Sequence, residues 1–442
     1  MKIHFIGIGG IGVSALAKYY LIHGHKVSGS DLVLSEITKS LKEKGINLFI
    51  GKHKEKNLPK DIDLVIYSPA VQKNNPELKA VFKQSLRPRV LSYPEALGEL
   101  TKKYFTIAVC GTHGKSTTTS MIGLLLTKAG LDPTVIVGTK LKEFNNSNCR
   151  VGKSKYLVIE ADEHFASFLN YWPGIIVLTN LEADHLDYYK NFKNYINSFK
   201  KFISHLPKNG LLIANKDDKN ISKVFLKKKQ FKIKDYSLKQ EEVKKLKKVL
   251  KIPGQHNISN ALAALTVAQF LKISNKISFE ALSQYKCSWR RFETKQLIIN
   301  NKKLTIISDY GHHPTEIKAT LEAAQEKYSK EKIWLIYQPH QYQRTFYLFK
   351  DFIKIFKEAS IEKIIITDIF DVAGRENKKI KEKINSEKLV EEINKKNKNN
   401  NIIYLPKYKI LNYLNKNLQG REVVIIMGAG DIYELSKRFF NR

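Results

Sequence analysis

Cysteine is scarce in this sequence of 442 residues, which contains only Cys110, Cys149 and Cys287. Three widely spaced cysteines fit neither a disulfide framework nor the closely spaced ligands of a zinc site. No run of about 18 apolar residues occurs, so no membrane insertion is expected. Glycines interrupt the apolar N-terminus, and no small-residue cleavage site follows it, which argues against a signal peptide. These absences favour a protein of the reducing cytoplasm.

Arginine is also rare, because only ten of the 76 basic residues are arginine and the lysines are spread along the chain. A formal net charge of +34 raises the question of a nucleic-acid partner. Nucleic-acid readers usually cluster arginine with aromatic residues, however, so we expect no nucleic-acid partner and attribute the lysines to compositional drift. Arginine provides a planar fork for carboxylates and phosphates, which makes the few arginines candidate site residues. Four of them lie in motifs described below: Arg290, Arg291, Arg344 and Arg375.

The pattern of apolar segments predicts an α/β fold. Short apolar runs alternate with helical patterns, beginning with a helix over residues 13–23, and this alternation is typical of parallel sheets covered by helices. Apolar residues make up 43% of the chain, enough for several cores. The expected strands are residues 2–8, 26–30, 64–67, 106–110, 156–160, 175–178, 304–308, 333–337, 364–367 and 423–427.

The length of the chain predicts about three domains, since a typical domain has roughly 100–200 residues. Composition changes near residues 92–101 and 287–292, which we interpret as joints between domains. Lysine-rich stretches at 227–251 and 391–401 are interpreted as solvated surface or loop. The predicted domains are residues 1–99, 100–291 and 292–442.

The segment Gly111-Thr-His-Gly-Lys-Ser-Thr117 lies between an apolar strand and an apolar helix. In that context, backbone amides and a helix N-terminus can hold phosphate oxygens. We expect Lys115 to contact phosphates and Ser116 to bind magnesium. A complete phosphate-binding loop has another glycine five residues before Gly114, where this chain has Val109. The segment therefore predicts a nucleoside triphosphate without specifying the reaction.

Two later strands also end in polar residues. The first carries Glu160, Asp162 and Glu163 at its end, and the second leads to His185. Carboxylates at the carboxyl ends of strands beside a phosphate loop are placed as a magnesium site requires. Each acid alone is more often a surface residue, but two strands ending in this way predict a metal site.

A second glycine-rich loop lies near the N-terminus. The segment Gly7-x-Gly-Gly-x-Gly12, followed nineteen residues later by Asp31, matches the dinucleotide-binding fingerprint. By itself it suggests NAD, so an NAD-dependent oxidoreductase is one alternative. That alternative leaves the loop at Gly111–Thr117 unexplained.

Taken in order, the motifs resemble those of the Mur ligase family, the enzymes that build the peptide stem of the bacterial cell wall. The first four matching segments are Gly111–Thr117, Glu160–Glu163, Asn180–His185 and Gly254–Ala261. Four C-terminal segments resemble the family members that add L-alanine: Asp309–Glu316, Tyr337–Thr345, Asp368–Glu376 and Gly428–Ile432. The resemblance implies a Rossmann-like UDP-sugar domain, a central ATPase-like domain and a Rossmann-like C-terminal domain for the amino acid.

The resemblance also implies a reaction. The carboxylate of UDP-N-acetylmuramate attacks the γ-phosphate of ATP, and the amine of L-alanine displaces phosphate from the acyl phosphate. Positioning and charge neutralisation dominate phosphoryl transfer, so ATP and Mg²⁺ are the implied cofactors. One alternative within the family is the recycling ligase that joins a tripeptide to the same sugar nucleotide. We expect a monomer or a weak dimer.

Residue roles follow from the resemblance. The ATP-binding residues would be Gly111, Thr112, His113, Gly114, Lys115, Ser116, Thr117, Asn257, Asn260 and Arg291. The metal ligands would be Ser116, Glu160 and His185. The UDP-sugar would contact Gly9, Gly10, Gly12, Asp31, His53 and Ser68. The catalytic residues would be Lys115, Tyr310, His312, His340 and Arg344. On sequence alone, His312 could equally be structural, and Asn257 and Asn260 could equally cap a helix.

Several positions depart from the family pattern. Gln341 stands where many members carry a second arginine, and Ser308 stands where an acid is usual. Cys287 replaces a hinge glycine, and His164-Phe165 replaces the common Ser-Asp pair. These changes affect the expected surroundings of the substrate carboxylate and the hinge, and they leave the ATP site intact. Because three domains supply groups, the two joints are the expected hinges of a closure.

Overall fold

The computed structural model describes residues 1–83, 88–225, 231–299, 302–372, 376–395 and 401–440. They form three mostly parallel sheets of five, seven and six strands, which confirms the predicted three-domain α/β fold. By packing, the chain divides into two compact units. The first unit comprises residues 1–250 and 258–286, and the second comprises residues 251–257 and 287–442.

Five parallel strands form the first sheet. They are β1 (Lys2–Ile6), β2 (Lys26–Asp31), β3 (Asn47–Ile50), β4 (Leu64–Tyr67) and β5 (Arg89–Ser92), in the order β3-β2-β1-β4-β5. The helices are α1 (Ile11–Ile22), α2 (Glu36–Glu43), α3 (Pro76–Lys83) and α4 (Tyr93–Lys103). The strand order reverses between β1 and β4, so the loops after these two strands flank the crevice in which such sheets bind ligands.

The second sheet has seven strands. They are β6 (Phe105–Cys110), β7 (Thr134–Leu141), β8 (Ser147–Arg150), β9 (Tyr156–Glu160), β10 (Ile175–Leu178), β11 (Leu211–Asn215) and β12 (Lys232–Tyr236), in the order β12-β11-β10-β6-β9-β7-β8. Only the β7–β8 pair is antiparallel among the pairings of this sheet's described residues. The helices are α5 (Lys115–Lys128), α6 (Leu186–Tyr189), α7 (Phe192–Ile203), α8 (Glu242–Val249), α9 (Gln255–Phe270) and α10 (Asn275–Gln284).

The third sheet has six strands. They are β13 (Glu293–Ile299), β14 (Lys302–Asp309), β15 (Ile333–Tyr337), β16 (Lys363–Ile366), β17 (Ile402–Tyr404) and β18 (Val423–Met427), in the order β13-β14-β18-β15-β16-β17. The helices are α11 (Pro314–Lys327), α12 (Tyr342–Tyr347), α13 (Phe349–Glu358), α14 (Lys378–Lys381), α15 (Ser386–Asn394), α16 (Lys407–Asn417) and α17 (Tyr433–Phe440). None of the described helices is long and apolar enough to cross a membrane.

The ten predicted strands are all present, and the missed ones are mainly polar or at sheet edges. The inner strands β6, β9 and β10 are buried on both faces, which requires the continuous apolar runs seen in the sequence. Edge strands β8 and β12 have no such run. The stretches 227–251 and 391–401, interpreted as solvated surface or loop, include β12, α8 and the end of α15, and most of their described residues are exposed or half-buried.

The first and second sheets share one core within the first unit. Asn148 on β8 donates to Ser14 Oγ at 2.9 Å and accepts from Lys18 Nζ at 2.7 Å, both on α1. The hydroxyls of Tyr19 and Tyr104 hydrogen-bond at 2.9 Å. Packing therefore joins what the sequence suggests are two domains, and the boundaries 1–99, 100–291 and 292–442 stay a prediction.

A buried carboxylate organises the first sheet. Glu77 on α3 is fully buried, and its oxygens meet His4 (3.3 Å), Ser30 (2.5 Å), His53 (3.0 Å) and Asn57 (2.8 Å). Burial alone would raise the pKa of Glu77, but these hydrogen bonds together lower it from 4.5 to about 2. The ionised carboxylate thus ties β1, β2 and the segment after β3 to α3.

We predict that Glu77 makes the first unit sensitive to acid. A carboxyl whose pKa is lower in the folded state contributes stability above its unfolded pKa of 4.5 and loses it as the pH falls towards about 2. Glu77→Gln should lower the free energy of unfolding at pH 7 by about 1–3 kcal/mol and flatten its pH dependence in that window. Denaturant unfolding at several pH values would measure both effects, with the exposed Glu55→Gln as control. An unchanged acid profile in Glu77→Gln would contradict this assignment.

Candidate functional site

The loop between β6 and α5 has the geometry of an anion site. Gly111 and Gly114 have φ values of 129° and 82°, a backbone region that favours glycine. A Cβ on Gly114 would collide with the side chain of Asn260. Gly114 is the N-cap of α5, a helix of 14 residues, so the first amides of α5 and its positive dipole end face the loop.

The carboxyl end of β10 holds this loop in place. The backbone amide of Thr112 donates to Asn180 O at 3.0 Å, and that of His113 donates to Asn180 Oδ1 at 2.8 Å. The His113 ring lies 3.3 Å from the carboxylate of Glu182. Asn180 belongs to a segment singled out in the sequence, but its side chain was given no role. Its contribution is visible only once β10 lies beside β6.

Lys115 forms a buried ion pair with Glu163. Lys115 Nζ lies 2.9 Å from Glu163 Oε2 and also donates to the carbonyls of Gly111 (2.8 Å) and Thr112 (3.1 Å). Burial alone would lower the pKa of Lys115, but Glu163 and the neighbouring carboxylates raise it above its usual value. The ammonium therefore stays charged against the phosphate loop. Glu163 was noted in the sequence and not assigned as a site residue.

Two groups of potential metal ligands lie beside the loop. Ser116 Oγ donates to Glu160 Oε1 at 3.0 Å, which joins two predicted ligands. The predicted ligand His185 instead groups with Asp162 and Glu163, whose ligand atoms lie within 4.8 Å of one another and of His185. Carboxylate and hydroxyl oxygens are the ligands that Mg²⁺ prefers, so this edge of the sheet fits a divalent cation.

The departure at His164-Phe165 adjoins these ligands. The His164 ring stacks on His185 with centroids 4.1 Å apart. Phe165 and Ala166 have φ values of 53° and 54°, and His185 has 52°, all in the left-handed region that is strained for residues other than glycine. Backbone strain of this kind is common at functional sites, and here it affects the predicted ligand His185 and the segment stacked on it.

The predicted UDP-sugar residues other than His53 lie around the N-terminus of α1. The amide of Gly9 donates to Asp31 Oδ2 at 2.8 Å, and Gly10 is the N-cap of α1. A Cβ on Gly7, where φ is 76°, would lie 3.0 Å from Ser68 Cβ, so the loops after β1 and β4 touch. His53 Nδ1 lies 3.2 Å from the hydroxyl of Ser30 and joins the Glu77 network.

Four predicted catalytic residues cluster in the second unit. His312 Nδ1 lies 3.1 Å from Tyr310 O, and the rings of His312 and His340 are 5.7 Å apart. Arg344 Nη1 lies 3.3 Å from Gln341 Oε1 and 3.2 Å from His340 Nδ1. Gln341, which stands where many relatives carry arginine, thus accepts a hydrogen bond from Arg344 and adds no second charge.

Two arginines support this cluster. Arg290 is buried, donates to Gly428 O and lies 4.8 Å from the Tyr310 ring centroid. Arg291 lies 5.0 Å from the same centroid and 3.8 Å from Glu316 Oε1. Both arginines therefore fix the position of Tyr310 with their guanidinium groups.

Two of the remaining predicted residues, Asn257 and Asn260, belong to different compact units. Asn260 accepts from Thr118 Oγ1 at 3.1 Å beside the phosphate loop, whereas Asn257 groups with the second unit and donates to Pro253 O at 2.7 Å. Cys287, which the resemblance places at a hinge glycine of the family pattern, has a φ of 149°, within the region that favours glycine. Arg375 lies outside the described residues.

Comparison with known proteins accounts for this arrangement. Three family profiles match in order: the catalytic domain of the Mur ligase family over residues 2–105, the Mur ligase middle domain over 109–268, and the Mur ligase glutamate ligase domain over 290–430. The chain belongs to the Mur ligase family. Among relatives of this Mur ligase, UDP-N-acetylmuramate–L-alanine ligase of Acetivibrio thermocellus is 41% identical, covering 99% of this chain and 95% of the relative. The enzyme of the same name from Clostridium acetobutylicum is 39% identical and covers 100% and 98%.

Solved structures show the same fold. UDP-N-acetylmuramate-alanine ligase of Thermotoga maritima aligns with a TM-score of 0.80 and 26% identity, covering 100% of this Mur ligase and 99% of that chain. A murein peptide ligase from Psychrobacter arcticus aligns with a TM-score of 0.72 and 22% identity, covering 100% and 98%. At that identity the second likeness concerns the fold alone.

We predict that the backbone at Gly114 is essential for nucleotide binding. Gly114→Ala combines a φ of 82° with a clash against Asn260, so the affinity for ATP should fall at least about tenfold. Gly130→Ala is the matched control, because Gly130 follows the other end of α5 with a φ of 75° and open space around it. Titration calorimetry with ATP would compare the two variants. Equal affinity in both would contradict the role given to this loop.

Proposed function

We propose that this Mur ligase joins L-alanine to the carboxylate of UDP-N-acetylmuramate at the expense of ATP. The observation that carries the proposal is the match, along 99% of the chain, to a relative of that name at 41% identity. The site supports it independently, because one chain holds a phosphate loop, an acidic sheet edge, a second glycine loop and an arginine–histidine cluster.

The first unit would perform the phosphoryl transfer. A muramate carboxylate oxygen bonds to the γ-phosphorus of ATP while the bond to ADP breaks, which gives an acyl phosphate and ADP. Negative charge on the phosphate oxygens needs fixed positive charge and directed amides. Lys115 and the first amides of α5 supply both, and the pairing of Lys115 with Glu163 holds its ammonium at the loop.

Magnesium would bind at the acidic edge of the second sheet. We assign Ser116 and Glu160 to one ion and His185, with Asp162 and Glu163, to a second. Bound there, the ions would neutralise charge on the phosphate oxygens. Glu163 would then serve both Lys115 and the second ion.

The second unit would supply the side chains that act while the amine of L-alanine attacks. After the L-alanine nitrogen attacks the acyl carbon, phosphate leaves with the electrons of its bond and one ammonium proton must be accepted. A hydrogen bond from His312 Nδ1 to Tyr310 O leaves Nε2 as the basic nitrogen of a neutral ring. Arg344, whose guanidinium is always charged, would stabilise the oxyanion of the tetrahedral intermediate.

Location and assembly are further proposals. The three cysteines are buried free thiols, which suits the reducing cytoplasm. A monomer or a weak dimer, with no nucleic-acid partner, stays our expectation.

We predict phosphate release from ATP only when UDP-N-acetylmuramate and L-alanine are both present. The assay would pair the purified protein with L-alanine or with the cell-wall tripeptide, and mass spectrometry would identify the amide. Turnover with the tripeptide alone would replace the proposal with the recycling activity. Stabilisation against heat by NAD rather than by UDP-N-acetylmuramate would favour an oxidoreductase.

We predict that Glu160→Gln raises the Mg²⁺ concentration needed for half-maximal activity at least about tenfold, because it removes one ligand charge. Chelation by EDTA should stop the wild-type reaction and added Mg²⁺ should restore it. Glu362→Gln, which alters an exposed pair with Lys332, is the control and should leave the Mg²⁺ requirement unchanged. A wild-type Mg²⁺ dependence in Glu160→Gln would refute the assignment of Glu160.

A further inference from the structure

Tyr93 lies where the two ligand-binding sheets of the first unit meet. It is the first residue of α4, the helix that connects the last strand of the first sheet to the first strand of the second. Ser92 and Glu95 form a capping box directly beside it, and Pro94 follows it. The backbone that carries Tyr93 is therefore fixed at the start of a well-defined helix.

The Tyr93 ring packs against Gly12, in the first turn of α1. A Cβ on Gly12 would lie 2.6 Å from Tyr93 Cζ and 2.7 Å from Tyr93 Oη. The phenol thus occupies the space in which any other residue would have a side chain, and its hydroxyl lies over the N-terminal turn of α1. That turn follows the N-cap Gly10, and its first backbone amides are the ones that a helix leaves available to an anionic ligand.

The carboxylates at the acidic edge of the second sheet also affect the pKa of the same hydroxyl. Burial raises the pKa of Tyr93 well above its usual value, and the nearby carboxylates of Glu160 and Asp162 raise it further. The phenol is therefore protonated at neutral pH and acts as a hydrogen-bond donor.

Two other buried tyrosines in this region have protein partners. Tyr19 bonds to Tyr104, and Tyr189 bonds to Glu163 O. Within the part of the chain that the structure describes, no side-chain hydrogen bond of the Tyr93 hydroxyl is seen. A partly buried donor that faces a helix N-terminus is suited to an anionic oxygen supplied by a ligand.

We propose that Tyr93 binds substrate by donating a hydrogen bond from its hydroxyl to the pyrophosphate of UDP-N-acetylmuramate. The inference rests on the proposed function for the identity of the ligand. Tyr93 would complete a pyrophosphate site whose backbone donors come from the first turn of α1. This role for Tyr93 also explains why residue 12 is a glycine, since a side chain at that position would displace the phenol.

The test compares Tyr93→Phe with Tyr19→Phe, a control that removes a hydroxyl already paired within the protein. Loss of a hydrogen bond to a charged oxygen should raise the KM for UDP-N-acetylmuramate roughly 10- to 100-fold in Tyr93→Phe. The KM for ATP should stay as in the wild type, and Tyr19→Phe should change neither constant. A Tyr93→Phe enzyme with unchanged KM values overturns the inference while leaving the proposed function standing.

Calorimetry with UDP alone distinguishes the pyrophosphate from the rest of the substrate. UDP contains the pyrophosphate and lacks the muramate. The Tyr93→Phe substitution should therefore lower the affinity for UDP by a factor similar to that for the full substrate. Weakened binding of UDP-N-acetylmuramate with unchanged binding of UDP would place the hydroxyl on the muramate and overturn the assignment. If the wild-type protein shows no activity with UDP-N-acetylmuramate, the proposed function itself fails.

Discussion

Parallel strands all finish at the same edge of their sheet, and this constraint decides where the chemistry of this chain lies. In the first sheet, the loops after β1 and β4 carry Gly7 and Ser68, which touch. In the second, the loops after β6, β9 and β10 bring together the phosphate loop, its acidic neighbours and Asn180. In the third, β14, β15 and β18 end at Asp309, Tyr337 and Met427, which lead into the cluster around His312. Residues far apart in sequence meet because their strands are neighbours.

The ion pair between Lys115 and Glu163 keeps two opposite charges buried at this edge of the second sheet. Both side chains are largely or wholly buried, so neither would be stable there without the other. Burial raises the pKa of Glu163 despite the neighbouring ammonium, while Lys115 remains charged. In the proposed reaction, a phosphate group that approaches Lys115 would meet a cation whose position is already fixed. This preorganisation would reduce the reorganisation that the transition state requires.

Much of this architecture could be read from the sequence, for physical reasons that also explain the failures. Inner strands such as β6 and β10 are buried on both faces, so their apolar runs were recognisable, whereas β8 and β12 at the sheet edges were not. The glycines of both loops were found because such loops need glycine, either for a positive φ, as at Gly7, Gly111 and Gly114, or for close approach, as at Gly12. The partners of those loops were not found. Glu163 as the counter-ion of Lys115, Asn180 as the support of the loop, and Tyr93 over Gly12 all depend on strand order and helix placement, which local patterns do not encode.

The shared core of the first unit has a consequence for the evolution and engineering of this enzyme. Asn148 on the second sheet bonds to Ser14 and Lys18 of α1, the same helix at whose N-terminus we propose that the sugar nucleotide binds. A chimera that exchanged the first hundred residues for those of a relative with another specificity would break this contact unless β8 came with them. The first and second sheets, which we propose to bind the sugar nucleotide and ATP, are thus not independent modules. We therefore expect recombination between such enzymes to succeed more readily at the border of the second unit.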